Sequence, residues 1–112
     1  MRLGVLDVGS NTVHLQVVDT SPGARPNPTF NYKEELRLTQ YINEDNLVSD
    51  EGIEKLRGAI KRAIEQSASV QTQELLPFAT SALREASNGE KIISSINKDF
   101  HIDLQVLTGE EE

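Results

Sequence analysis

Three short stretches of this sequence carry residue types that could handle a phosphate group. The first is Asp7-Val8-Gly9-Ser10-Asn11-Thr12. Glycine lets backbone N–H groups approach an anion, Ser10, Asn11 and Thr12 add donors, and Asp7 can hold a hydrated cation. An ordinary hairpin turn draws on the same residues for backbone geometry alone. The second stretch is Ala79-Thr80-Ser81-Ala82-Leu83-Arg84-Glu85-Ala86, at a strand-to-helix junction. Free amides at a helix start attract phosphate, Thr80 and Ser81 offer hydroxyls, and Arg84 can grip an anion bidentately. The same residues would serve as a Ser81 helix cap followed by a solvated Arg84. The third is the terminal Glu110-Glu111-Glu112. A carboxylate there can act as general base for an attacking water or as a magnesium ligand. Acids at a solvated helix start would look alike. His14 and His101 stand alone, and no His/Cys cluster suggests zinc.

Composition narrows the classes. There is no Cys, which excludes disulfides, thiolate metal sites and cysteine nucleophiles. Eighteen acidic residues against 11 basic give a net charge of −7. Such an acidic surface repels polyanions and argues against a nucleic-acid partner. A cleft can still be locally positive or metal-loaded, so a phosphate-bearing substrate stays open. The apolar stretches are only a few residues long, too short to span a bilayer. Asp7 interrupts the opening apolar run, unlike a signal peptide. A cytoplasmic protein with no membrane partner is the expectation. At 112 residues the chain suits one domain that buries roughly two-thirds of its unfolded surface.

The elements that must position these stretches follow from periodicity. Leu3, Val5, Leu6 and Val8 predict a strand buried on both faces. Val13, Leu15 and Val17 alternate with His14, Gln16 and Val18, so a second strand follows the Gly9-Ser10-Asn11 turn as an antiparallel hairpin. A third strand is predicted from Thr29 to Arg37, with a Lys33-Glu34-Glu35 centre too charged for burial. Residues 38–49 show no periodicity and are predicted to form a loop. Ser49 stands where a helix N-cap should, with Asp50 and Glu51 in the first turn and Ile53, Leu56, Ile60, Ala63 and Ile64 at helical spacing. Gly52 and Gly58 weaken that helix by about 1 kcal/mol each against Ala. A strand at Leu75–Ala79 precedes a short helical stretch through Arg84 and Glu85, which Asn88-Gly89 ends. Ile92, Ile93, Ile96 and Phe100 mark another helix, and Leu104–Leu107 a last strand. The order β-β-β-α-β-α-β predicts an α/β domain with a mixed sheet covered by helices.

Resemblance joins the three stretches. Leu6 to Leu15 resembles the first phosphate-loop segment of the exopolyphosphatase / guanosine pentaphosphate phosphatase (Ppx/GppA) family. Ala79 to Ala86 with Asn88-Gly89 resembles a second block of it. Thr108-Gly109-Glu110-Glu111-Glu112 resembles a third, usually Ser-Gly-x-Glu-Glu followed by Ala-Arg. Leu47 to Ile53 also has the family's look ahead of its first long helix. The resemblance covers essentially all 112 residues, with the blocks in the family's order.

That resemblance implies the ribonuclease-H-like fold shared with actin, sugar kinases and Hsp70-type ATPases. Residues 1–112 would be the N-terminal half of a two-domain phosphatase, partnered by its own C-terminal domain and forming a homodimer at full length. It implies hydrolysis of terminal phosphate from polyphosphate or guanosine pentaphosphate, with Mg2+ (or Mn2+). Glu112 would be the catalytic base, with Glu111 the alternative. Asp7 and Glu112 would hold the metal, while Gly9, Ser10, Asn11, Thr80, Ser81 and Arg84 would bind phosphate. Position 14, Arg in some relatives and His14 here, bears on substrate specificity. The family's second phosphate loop, Asp-x-Gly-Gly-Gly-Ser-x-Glu, has no counterpart in these residues, so the piece alone is expected to have little or no activity. The alternative reading is a non-catalytic phosphate- or nucleotide-sensing regulatory domain of the actin-like superfamily.

Overall fold

The computed structural model describes residues 1–25, 27–79 and 82–106, with only the backbone of Ala82 and Arg84. Strand β1 (Arg2–Val8) pairs antiparallel with β2 (Thr12–Asp19), which pairs antiparallel with β3 (Asn27–Glu35). On its other edge β1 pairs parallel with β4 (Glu74–Ala79), and β4 pairs parallel with the two-residue β5 (Gln105–Val106). The sheet order is β3-β2-β1-β4-β5. Helix α1 (Asp50–Ser69) connects β3 to β4, and α2 (Ala82–Glu85) and α3 (Gly89–Phe100) connect β4 to β5. The predicted mixed sheet is the one found. No helix among the described residues is long and apolar enough to cross a membrane.

Alternation divides the sheet into two unlike faces. Gly4, Leu6 and Val8 of β1 share one face with Val13, Leu15 and Val17 of β2, and all six are buried. Leu56, Ala59, Ile60 and Ala63 of α1, with Ile92 and Ile96 of α3, belong to the same buried core. Arg57 links the two helices by donating from Nη1 to Ser95 Oγ at 3.1 Å and pairing with Asp99. The opposite face is open among the described residues. Leu3, Val5, Val18 and Phe78 are half-buried there, Leu76 is 38% exposed, and Asp7 and Gln16 are exposed. Where a strand buried on both faces was expected, β1 has, among the described residues, one core face and one half-covered face.

Edge strand β3 also departs from expectation. It starts earlier and stops at Glu35, because Arg37 turns into the left-handed region with φ 52°. Pro28 is tolerated at a sheet edge, where a missing N–H costs no ladder bond. Of the three charged residues at its centre, Glu34 points toward α1, where it is partly covered. Arg62 Nε donates to Glu34 Oε1 at 2.8 Å, and Tyr32 Oη donates to the same oxygen at 2.7 Å. Lys33 and Glu35 lie on the open face.

The segment predicted as a plain loop, 38–49, is ordered by hydrogen bonds. A 3-10 turn, Leu38–Tyr41, leads to an antiparallel bridge between Ile42 and Val48. Asn43 Oδ1 accepts from the amides of Asp45 and Leu47. Asn88 does not simply end a helix. It stands at the N-cap position of α3, and its side chain accepts from Val48 N at 3.0 Å and donates to Val48 O at 3.1 Å. Ser49 caps α1 as expected, accepting from Gly52 N at 3.2 Å.

The two glycines of α1 have opposite standing. A Cβ on Gly52 would lie 2.5 Å from Tyr41 Cβ, so the 3-10 turn needs that helix surface bare. The atoms nearest a Cβ on Gly58 would be those of the mobile Arg62 guanidinium, at 3.2 Å. Gly52→Ala is expected to destabilise the domain by roughly 1–3 kcal/mol through overpacking. Gly58→Ala should be neutral or stabilise by up to about 1 kcal/mol. Urea midpoints of the two variants check this, and a Gly52→Ala midpoint above wild type would contradict the packing argument.

The Glu34 pair sets a pH dependence. Hydrogen bonds from Arg62 lower the Glu34 pKa from its ordinary value of 4.5, against a smaller opposing effect of burial. A depressed carboxylate contributes stability that is present above its unfolded pKa and lost as pH falls through the folded one. Because Arg62 is half exposed, Glu34→Gln should cost no more than about 1 kcal/mol at neutral pH. That difference should shrink as pH falls below 4.5, in denaturation series run for both proteins.

Candidate functional site

The parallel strands β1, β4 and β5 all end along one border of the sheet. Val8 lies in register with Val13 on one side and Ala79 on the other, and Ala79 with Val106. Open α/β sheets bind ligands outside the carboxyl ends of their strands. The Gly9–Thr12 turn stands at this border. Gly9 N donates to Thr12 O at 2.9 Å, closing it.

A second set of bonds fixes the turn from outside. Asn11 O accepts from the amides of Leu36 (2.6 Å) and Arg37 (3.1 Å), and Ser10 O accepts from Leu38 N at 2.8 Å. In a trans peptide the N–H points opposite to the carbonyl it adjoins, and the chain has no cis bond among its described residues. The amides of Asn11 and Thr12 therefore point away from the Leu36–Leu38 segment. Neither Gly9 nor Asn11 has a positive φ. The turn is thus not of the left-handed hairpin type that demands glycine or asparagine for its backbone. An outward-facing pair of amides beside a carboxylate suits a phosphate with its cation.

Side chains of the open face extend this rim. Asp7 is exposed and sits in register with His14 on β2 and Phe78 on β4. His14 is in register with Lys33 on β3. The His14 ring hydrogen-bonds Asn31 through Nε2, and Asn31 lies one row further from the turn. A depression of about 450 Å³ beside the turn is lined by Asn11, Thr12, Lys33 and Glu35.

Five predicted site residues therefore come together: Asp7, Gly9, Ser10, Asn11 and His14. Thr80, Ser81, Glu111 and Glu112 lie outside the described residues, as does the side chain of Arg84. The backbone of α2 begins three residues beyond Ala79. His101 caps the carboxyl end of α3. Among the described residues no three His, Cys, Asp or Glu side chains group as a metal site, so Asp7 is the one predicted ligand on view. Sequence reasoning missed the Leu36–Leu38 clamp, because backbone-to-backbone bonds leave no residue signature. It also missed Lys33, although alternation from Glu34 would have put it on the His14 face.

A mixed five-stranded sheet in this order, with its helical crossovers, is that of a ribonuclease-H-like (actin-like) domain. The family model described as the Ppx/GppA phosphatase family matches residues 16–112, and the chain belongs to that family. It is 44% identical over all 112 residues to exopolyphosphatase 1 of Mycobacterium tuberculosis, and covers 33% of that protein. The crystal structure of an exopolyphosphatase from Cytophaga hutchinsonii superposes with a TM-score of 0.87 at 28% identity, over 98% of this chain and 35% of that one. An Aquifex aeolicus Ppx/GppA enzyme gives a TM-score of 0.89 at 22% identity, over 100% of this chain and 37% of that one, a likeness of fold alone. The chain spans about a third of the length of the curated relatives it matches.

The orientation of the turn is testable by amide exchange. Leu36 and Leu38 amides should exchange slowly in the free protein, and those of Asn11 and Thr12 quickly. Adding inorganic phosphate or polyphosphate should slow the Asn11 and Thr12 amides by about tenfold or more. Protection of Asn11 before any anion is added would mean that its amide is already engaged.

Proposed function

We propose that this chain is the N-terminal half of a two-domain hydrolase that releases terminal orthophosphate from inorganic polyphosphate, or the 5′ phosphate from guanosine pentaphosphate. The observation that carries the reading is the Gly9–Thr12 turn. Its carbonyls are pinned by Leu36–Leu38 and its amides face outward beside Asp7, in a chain of the Ppx/GppA family. Identity of 44% to a protein named exopolyphosphatase 1 favours polyphosphate over the nucleotide.

In this reading the turn amides and the Ser10 and Asn11 side chains hold oxygens of the terminal phosphoryl group. Thr80, Ser81 and Arg84 bind it from the neighbouring strand end. Glu112, or Glu111 in its place, takes a proton from water as the water oxygen bonds to phosphorus in line. The bridging P–O bond breaks, giving orthophosphate and a chain shorter by one unit. Mg2+ (or Mn2+) would neutralise charge on the phosphate oxygens. Asp7 and Glu112 would hold it, which fits an ion that keeps most of its waters and takes one or two carboxylates plus substrate oxygens. His14 borders the same face and bears on which leaving group is accepted. The C-terminal domain supplies the opposite wall, the full-length protein is a homodimer, and residues 1–112 alone release little phosphate.

Phosphate release from long-chain polyphosphate and from guanosine pentaphosphate, by the intact protein and its Glu112→Ala variant, tests this. Loss of a general base should lower the rate about 10²- to 10⁴-fold. Activity that survives would move the base to Glu111 or elsewhere. No release from either substrate would sink the hydrolase and favour a phosphate-sensing domain.

A further inference from the structure

The open sheet face has a charge pattern that the reading above leaves unused. Its strand positions are Leu3, Val5 and Asp7 on β1, Thr12, His14, Gln16 and Val18 on β2, Pro28, Asn31, Lys33 and Glu35 on β3, Glu74, Leu76 and Phe78 on β4, and Gln105 on β5. Lys33 is the one Lys or Arg among them. It closes the row Asp7–His14–Lys33, two strand spacings, or about 10 Å, from Asp7.

Lys33 is exposed, and three observations favour a binding role for its ammonium. First, among the described residues no carboxylate lies within ion-pairing distance of it, and neighbouring Glu35 pairs with Arg37 instead. Second, the depression beside the turn is lined by Lys33 and Glu35 together with Asn11 and Thr12, whose amides face out of the turn; the Glu35 carboxylate is taken up by Arg37. Third, the His14 ring is drawn to Asn31, away from the turn. That leaves the space between Lys33 and the turn unfilled by imidazole. On a chain of net charge −7, one unneutralised cation beside a phosphate turn gives a polyanion a preferred direction of approach.

We propose that Lys33 binds a phosphoryl group upstream of the terminal one, so that a condensed phosphate chain leaves the Gly9–Thr12 turn across β2 toward β3. This rests on the phosphate-binding reading of that turn and adds the path of the substrate. It makes Lys33 a specificity residue for long chains. A substrate too short to reach β3 would not use it. A Lys is suited to this because its mobile point charge accepts successive phosphates without demanding one geometry.

The test compares the intact protein with its Lys33→Gln and Lys33→Arg variants. Direct binding and phosphate release are measured with long-chain polyphosphate and with tripolyphosphate, at several salt concentrations. Lys33→Gln should weaken long-chain binding about tenfold, the size of one charge-assisted contact. The loss should fall on KM rather than kcat, the salt dependence should flatten, and tripolyphosphate should change far less. Lys33→Arg should recover most of the affinity. Equal weakening for both substrates, or a Lys33→Gln variant that binds long chains like wild type, would overturn the proposal. So would a loss that Arg does not rescue and that comes with a lower melting temperature, since it would mark a structural role. Wild-type protein that binds long chains through Lys33 without releasing phosphate would remove the hydrolase reading and leave this one standing. Wild-type protein that binds neither substrate would remove both.

Discussion

Strand β1 is paired on both edges in opposite senses, and the position of every candidate group depends on it. Its antiparallel partner β2 follows through a tight turn, while its parallel partner β4 must be reached by a crossover. Helix α1, of 20 residues, spans about 30 Å and returns the chain from the β3 edge to the far side of β1. Val8 is thereby fixed between Val13 and Ala79. The hairpin turn and the carboxyl end of β4 meet at one border for this reason.

The two sheet faces divide the work of the domain. The core face carries the apolar mass, with Leu6, Leu15, Leu56 and Ile60 fully buried. The open face carries the candidate groups, in rows set by strand register. Burial on one side holds the row Asp7–His14–Lys33 in place, because a register slip of one residue would drive Leu6, Leu15 and Tyr32 out of the core. A charged row on one face is thus kept in line by apolar packing on the other. Net charge could not have revealed this, since an acidic total is compatible with one uncompensated lysine at a chosen place.

Much of this fold was legible in the sequence where local rules dominate. The Ser49 cap and the 3.6-residue period announced α1, alternation announced β2, and the Gly9–Thr12 turn showed itself by composition. What stayed hidden depends on partners distant in sequence. The 38–49 segment has no period because Asn88 and the chain's own turns order it. Gly52 read as a weak point in a helix, when it is the bare surface against which Tyr41 packs. Apolar content in β1 suggested two buried faces, since half-covered positions such as Leu3 and Val5 are as hydrophobic as core ones. The candidate site was legible as far as its turn. The clamp from Leu36 to Leu38 uses only backbone groups, so no choice of side chain advertises it.

Chain separation gives the site an order of assembly. Arg2 reaches Asp19 across 17 positions, but its backbone reaches Gln73 across 71. Closing the longer loop costs about 1 kcal/mol more in chain entropy. The β1-β2-β3 meander, with its pinned turn, is therefore the part that local encounters can build early. The β4 border joins once α1 has folded back. The clamped turn is a local product of the first 38 residues, and its pairing with the β4 border is a long-range one. Loosening of the β1–β4 seam would part the two strand ends while leaving the turn itself intact.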